Sequence, residues 1–212
     1  MANQQSRPAG AHYIYHPRSM RAASSFDIMQ RLALTGCYEL PDLAIPASGR
    51  LQRAGAVLGG WRACWALAAQ TGLPFTPELA VNGLNNGGFW LPDRVGVGTL
   101  PAGLRSAEHW FNTSLHKGDS RRAFETPPLH RYGNSGYNNL PGPGLILLDA
   151  ALGRGFRVRE GAQLQMRLEA WNLLNRANSA LPNRIPGLAS SDAISHTAAP
   201  ARQFRLASTL AR

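Results

Sequence analysis

Residues 162–178 read AQLQMRLEAWNLLNRAN. In this stretch Leu164, Met166, Leu168 and Ala170 fall on one parity, and Gln163, Gln165, Arg167 and Glu169 fall on the other. Side chains that alternate with period two project to opposite faces of a strand, whereas a helix would scatter them. The segment is therefore predicted as a strand with one oily and one charged face. The oily face must meet either a protein core or lipid. The alternation stops at Asn172, Leu173, Leu174 and Asn175, where asparagines that tolerate turn conformations and bond nearby backbone end the strand.

Four further segments carry the same signature. Residues 27–40 place Ile28, Leu32, Leu34, Tyr38 and Leu40 against Arg31, Thr35 and Glu39. Residues 60–72 set Trp61, Trp65 and Leu67 against Arg62, Cys64 and Gln70. Residues 145–156 set Ile146, Leu148 and Leu152 against Asp149, and residues 201–212 set Phe204, Leu206 and Leu210 against Gln203, Arg205 and Thr209. The links at 41–59 and 157–161 are shorter, while 73–144 and 175–200 are long and rich in Gly, Pro, Asn and Ser. In an up-and-down order every second connection lies at the same end of the sheet, so the two long links share one end. Outer-membrane barrels have this asymmetry of short turns and long loops. A structureless run as long as 73–144 would count against a compact domain, and large surface loops over a barrel mouth are the accepted exception. Within that run, GNSGYNNLPGPG at 133–144 marks the return into the third strand. Phe26, Tyr38, Trp61, Phe156 and Trp171 lie near segment ends, where either an interfacial aromatic girdle or the rim of a soluble core would put them.

Composition narrows the classes. The chain has 212 residues, 44% of them hydrophobic, which suits one large or two small domains. No run approaches the about 18 apolar residues of a membrane helix, and the opening MANQQSRP lacks the apolar region expected of a secretory signal. A strand-built membrane protein passes both filters, because each spanning strand needs only about 9–11 residues. The net charge of +10 would suit nucleic acid, but Lys117 is the sole lysine and the arginines are spread from Arg7 to Arg212 without a basic helix or groove. No nucleic-acid partner is expected from so dispersed a charge. Cys37 and Cys64 form no CxxC pair and fit either a disulfide or two buried thiols, of which buried thiols are the simpler expectation.

Chemistry-bearing motifs are sparse, and neither an enzyme nor a cofactor or metal site is expected. Of His12, His16, His109, His116, His130 and His196, only His12 and His16 are four apart, in HYIYH, a strand-prone stretch without the glutamate of HExxH. Gly96 and Gly98 make a GxG without a third glycine. Asp93, Glu108 and Asp119 read as solvated loop charges rather than an acid–base pair.

Six collinear stretches, SSFDIMQRLALTGCYELP, GGWRACWALAAQTGLPFTP, RSAEHWFNTS, YGNSGYNNLPGPGLILLDAAL, LQMRLEAWNLLNRAN and APARQFRLASTL, together resemble the C-terminal part of the barrel of TonB-dependent, Oar-like outer-membrane transporters. The resemblance spans nearly all of residues 20–211. It implies an all-β fold: an antiparallel, up-and-down transmembrane β-barrel fragment of about five strands in the bacterial outer membrane, preceded by an irregular segment at 1–19. It implies that Leu32, Leu34, Trp65, Leu67, Leu148, Leu164, Met166, Leu168 and Leu206 face lipid. It also implies nutrient uptake by the complete protein. Such barrels have roughly 22 strands around a plug, so the implied partners are outer-membrane lipid, the missing N-terminal strands and plug, and, in the complete protein only, the TonB system. Family members end on an aromatic residue, whereas this sequence ends Leu210, Ala211, Arg212. A truncated fragment is the expectation, with a soluble β-rich binding module or a basic nucleic-acid binder as the competing readings.

Overall fold

The computed structural model describes residues 18, 21–41, 59–84 and 90–211. The HYIYH stretch and nearly all of the segments at 1–19 and 41–59 lie outside them. Nine strands are described: β1 Arg31–Glu39, β2 Arg62–Gln70, β3 Pro74–Phe75, β4 Asp93–Arg94, β5 Phe124–Glu125, β6 Leu140–Pro141, β7 Leu145–Arg159, β8 Ala162–Trp171 and β9 Gln203–Ala211. The fold is all-β and its strand pairs are antiparallel. One sheet has five strands in the order β1-β2-β7-β8-β9, and β3 with β6 and β4 with β5 form two small ribbons.

The five long strands coincide with the five alternating segments, with corrections at their ends. The first begins at Arg31 rather than Asp27. The third runs on to Arg159, because Phe156, Arg157 and Val158 continue the two-faced pattern, and the link expected at 157–161 shrinks to a turn at Glu160 and Gly161. Gly161 has φ 74°, a backbone that L side chains rarely adopt. At the far end of β8, Asn172 and Asn175 take φ 48° and 49°, the left-handed conformation that asparagine tolerates.

The register puts Gln70 opposite Leu145 and Trp171 opposite Gln203 at one end of the sheet. Glu39 lies opposite Arg62, and Arg159 opposite Ala162, at the other. The long connections 71–144 and 172–202 therefore leave and rejoin the sheet at a common end.

Chain contacts divide the molecule into two compact units. One comprises the described parts of Met1–Met29, with Thr71–Gly144 and Ser179–Ala198; the other is the five-stranded sheet with its flanking turns. The first unit corrects the expectation of a structureless 73–144. Phe75, Phe111, Ala123, Phe124 and Leu140 form a buried cluster with Trp110, Leu115 and Leu181 against it. Phe111 meets both Phe75 and Phe124 edge-on, at centroid distances of 5.3 and 6.4 Å. The GNSGYNNLPGPG stretch takes part: Leu140 and Pro141 pair with Phe75 and Pro74, and the Gly142 N–H donates to the Leu73 carbonyl at 2.9 Å. Gly96 and Gly98 are packing glycines, since a Cβ at Gly98 would come within 2.9 Å of Leu140.

Candidate functional site

Directly opposed residues of an antiparallel pair share a face, so the register sorts every side chain of the sheet. Leu34, Leu67 and Leu148 form one rung across β1, β2 and β7. Leu152, Leu168 and Leu206 form another across β7, β8 and β9, and Phe156, Leu164 and Leu210 a third. Leu32, Ala69 and Ile146 extend the same face, as do Met166 and Trp65. All nine residues expected to face lipid thus lie on one face. Trp65 lies opposite Gly36, and its indole occupies the space a side chain there would need.

That face is not a core. Leu32 and Leu34 are each 50% exposed, Leu206 is 68% exposed and Leu210 62%. Phe75, Phe111 and Phe124 of the other unit are sealed, with Phe124 fully buried. This sequence can bury apolar side chains, and the sheet leaves its own on the surface.

The opposite face is polar and lined with small residues. Ala66, Ala68, Ala151, Gly153, Gly155 and Ala207 lie among Gln163, Gln165, Thr209 and a set of charges. Glu169 accepts from Arg167 at 2.8 Å and lies 3.4 Å from Arg205 on the next strand. Glu39 pairs with Arg62 across β1 and β2. The Asn172 N–H donates to Asp149 Oδ1 at 2.8 Å. A cavity of about 490 Å³ opens here, lined by Thr35, Cys64, Asp149, Arg167, Glu169 and Trp171. Trp171 lies on this polar face by register, while Trp61 meets Phe156 edge-on at 6.2 Å at the short-turn end.

Cys37 and Cys64 stand directly opposite each other on the polar face and form a disulfide, with a Cα–Cα distance of 4.0 Å. This corrects the expectation of buried thiols. Both cysteines sit on the charged parity of neighbouring strands, which permits the pairing, and the register decides it.

The loop carboxylates do not converge. Asp93 is buried, not solvated: Arg131 bonds both its oxygens and the Asn134 N–H donates to Oδ1 at 3.1 Å. Glu108 accepts from Ser106 Oγ at 3.2 Å. Asp119 accepts the Arg121 N–H at 2.8 Å, which holds its carboxyl below the usual range. The pairing of His109 Nδ1 with Asp192 Oδ2 at 3.2 Å has no counterpart among the sequence expectations; burial raises the Asp192 carboxyl and the histidine partly offsets it. Among the described residues no group of three or more His, Cys, Asp or Glu is placed to hold a metal.

A family model described as an outer membrane beta barrel domain matches residues 1–205. No curated protein and no solved structure matches the chain.

Proposed function

Because the chain belongs to the family of outer membrane beta barrel domains, we propose that it forms part of the wall of a TonB-dependent, Oar-like transporter that takes up a nutrient when complete. Its place is the bacterial outer membrane. The observation that carries the proposal is the set of exposed apolar rungs on one face of the sheet, backed by charges and small residues on the other. A wall between lipid and an aqueous lumen needs that division. Strand length agrees. Nine residues in β1, at about 3.3 Å each, span roughly 30 Å. Tilted by about 40°, they would cover about 23 Å of an apolar band about 25 Å tall.

Long connections at one end and a two-residue turn at the other support an orientation with the long connections outside the cell. In this reading the chain is a structural wall and not an enzyme. It works with further barrel strands, a plug and TonB, and the polar face looks onto the lumen. The finer assignment to TonB-dependent uptake is supported by the six collinear stretches.

The test is to assemble the chain with the product of the adjoining upstream reading frame and fractionate the outer membrane. The expected product changes gel mobility on boiling and cross-links to TonB in cells. A heat-modifiable barrel that never cross-links to TonB would retain the wall and remove the TonB-dependent reading.

A further inference from the structure

β1 and β2 are joined through residues 40–61, a connection too long to act as a tight turn. β7 and β8 are joined through Glu160 and Gly161, and a turn that short sets the register of its strands. The apolar pattern cannot replace the missing turn. A slip of one residue would carry Leu32 and Leu34 to the polar face, but a slip of two leaves every side chain of β1 on its own face. In the described sheet β1 is an edge strand paired with β2, so the register of this pair sets the height of every strand added beyond β1.

Three contacts in neighbouring rungs single out the observed register. The Trp65 indole fills the space beside Gly36 that a side chain there would need. Cys37 and Cys64 are directly opposite and bonded. Glu39 lies opposite Arg62, whose Nε donates to Glu39 Oε1 at 3.0 Å. After a slip of two residues, Cys37 would face Ala66 or Arg62 instead, and all three contacts would be lost. Of the three only the disulfide is covalent, while the ion pair is exposed on both sides and holds weakly. The sequence has no third cysteine, so the bond has one possible pairing within the chain.

We propose that Cys37 and Cys64 are a register lock for the β1–β2 pair, oxidised in the periplasm by exchange with a protein disulfide before the wall closes. This rests on the wall-segment reading above, in which both sulfurs face a plugged lumen that admits no second protein. Exchange needs direct contact through a mixed disulfide, and the periplasm is an oxidising compartment. The thiolate of one cysteine attacks the disulfide of the exchange protein, forming the mixed disulfide and releasing one thiol. The thiolate of the other cysteine then attacks the chain's own sulfur, closing Cys37–Cys64 and releasing the second thiol. The chain gives up two electrons and two protons, and the exchange protein takes them.

The test follows pulse-labelled cells that make the completed barrel. Heat-modifiable and unassembled bands are separated at intervals, then denatured, and their free thiols are labelled with a heavy maleimide. The expected order is bond first: the unassembled band already lacks free thiols when the heat-modifiable band appears. Cys37→Ala with Cys64→Ala leaves the native register and a slip of two in either direction on the same faces, so early heat-modifiable yield is expected to fall to about a third. Thr35→Cys with Ala66→Cys, added to that variant at the next opposed pair of the same face, is expected to restore the yield. Ala66→Cys with Cys64→Ala, whose bond to Cys37 would fix a slipped register, is expected to assemble less than the variant without cysteines. A heat-modifiable band that first appears with both thiols free overturns the proposal, as does full early yield without cysteines. Loss of yield that the bonded Thr35→Cys, Ala66→Cys variant fails to restore overturns the register role. No heat-modifiable band from the unaltered chain overturns the wall-segment reading, and the lock with it.

Discussion

The side-chain amide of Asn178 bonds both backbone groups of Ile146. The Ile146 N–H donates to Oδ1 at 2.8 Å, and Nδ2 donates to the Ile146 carbonyl at 3.0 Å. β8 begins pairing with β7 only at Ala150 opposite Ala170. The Asn178 amide therefore completes the ladder where β8 has ended, beside the Leu173 N–H that donates to the Leu148 carbonyl at 2.7 Å. Asn178 is 1% exposed, so its amide works in a dry place where an unmet backbone group is costly.

Replacing Asn178 with Leu keeps the bulk and removes both bonds. In the completed barrel in detergent micelles, urea unfolding is expected to show a loss of about 1–3 kcal/mol. A loss under about 0.5 kcal/mol, the size usual for a neutral surface change, would mean that the amide contributes no ladder bonds of consequence.

The disulfide closes a chain separation of 27 residues across the β1–β2 pair. A loop of that length gives about 3–4 kcal/mol in the chain-entropy description. Changing Cys37 and Cys64 together to serine should lower the urea midpoint accordingly, and reductant should do the same to the unaltered chain while leaving the serine variant untouched. Equal effects of reductant on both would show that the bond does not form in the folded protein.

The two faces of β8 should respond oppositely to charge. Leu168→Arg puts a cation between Leu152 and Leu206 on the apolar face and is expected to cost about 2–4 kcal/mol near mid-membrane. Gln165→Arg, between Gly155 and Thr209 on the polar face, is expected to be nearly neutral. Equal losses in unfolding measurements would mean that both faces meet the same medium.

The alternation that separates Leu164, Met166 and Leu168 from Gln163, Gln165 and Arg167 is a local property, so strands and faces are legible in the sequence. So is the neighbour order, because a meander pairs strands in sequence order. Register is not local. Nothing in the strands alone says that Cys37 meets Cys64 rather than a residue two positions away, and for that reason the sequence does not single out the disulfide. The core of Phe75, Phe111, Phe124 and Leu140 draws on residues far apart in a connection without periodicity, where sequence offers only turn signals. The Asn178 clamp depends on where β8 stops relative to β7, again a matter of register.

Orientation is open to a protease. On intact cells carrying the completed barrel, trypsin is expected to cut first after Arg94, which is exposed in the long connection that follows β2 in the chain. Arg105 should follow, and then Arg184, whose guanidinium is held by Glu78 at 2.8 Å. Arg157 and Arg159, at the short-turn end, should be spared. Peptides ending at Arg157 or Arg159, with Arg94 intact, would invert the orientation.

The last expectation follows from the direction of the outer strands. β1 runs from the long-connection end at Arg31 to the short-turn end at Glu39, and β9 runs the same way from Gln203 to Ala211. An up-and-down sheet of five strands has edges of the same direction, so joining β9 to β1 would require a parallel seam. Single-chain bacterial outer-membrane barrels are antiparallel and even in strand number, with a minimum of about eight. The described sheet therefore needs an odd number of further strands for an antiparallel closure. Left open in lipid, its edges hold N–H and C=O groups with no water to meet them, at several kcal/mol each. Left in water, the rungs of Leu34, Leu168 and Leu206 form an exposed apolar patch that favours association. Expressed alone, the chain should be recovered in inclusion bodies or detergent, and should become a heat-modifiable membrane species only when completing strands are supplied. Size-exclusion chromatography in detergent-free buffer decides it: a monodisperse monomer that unfolds cooperatively would overturn the wall-segment reading in favour of a soluble β module.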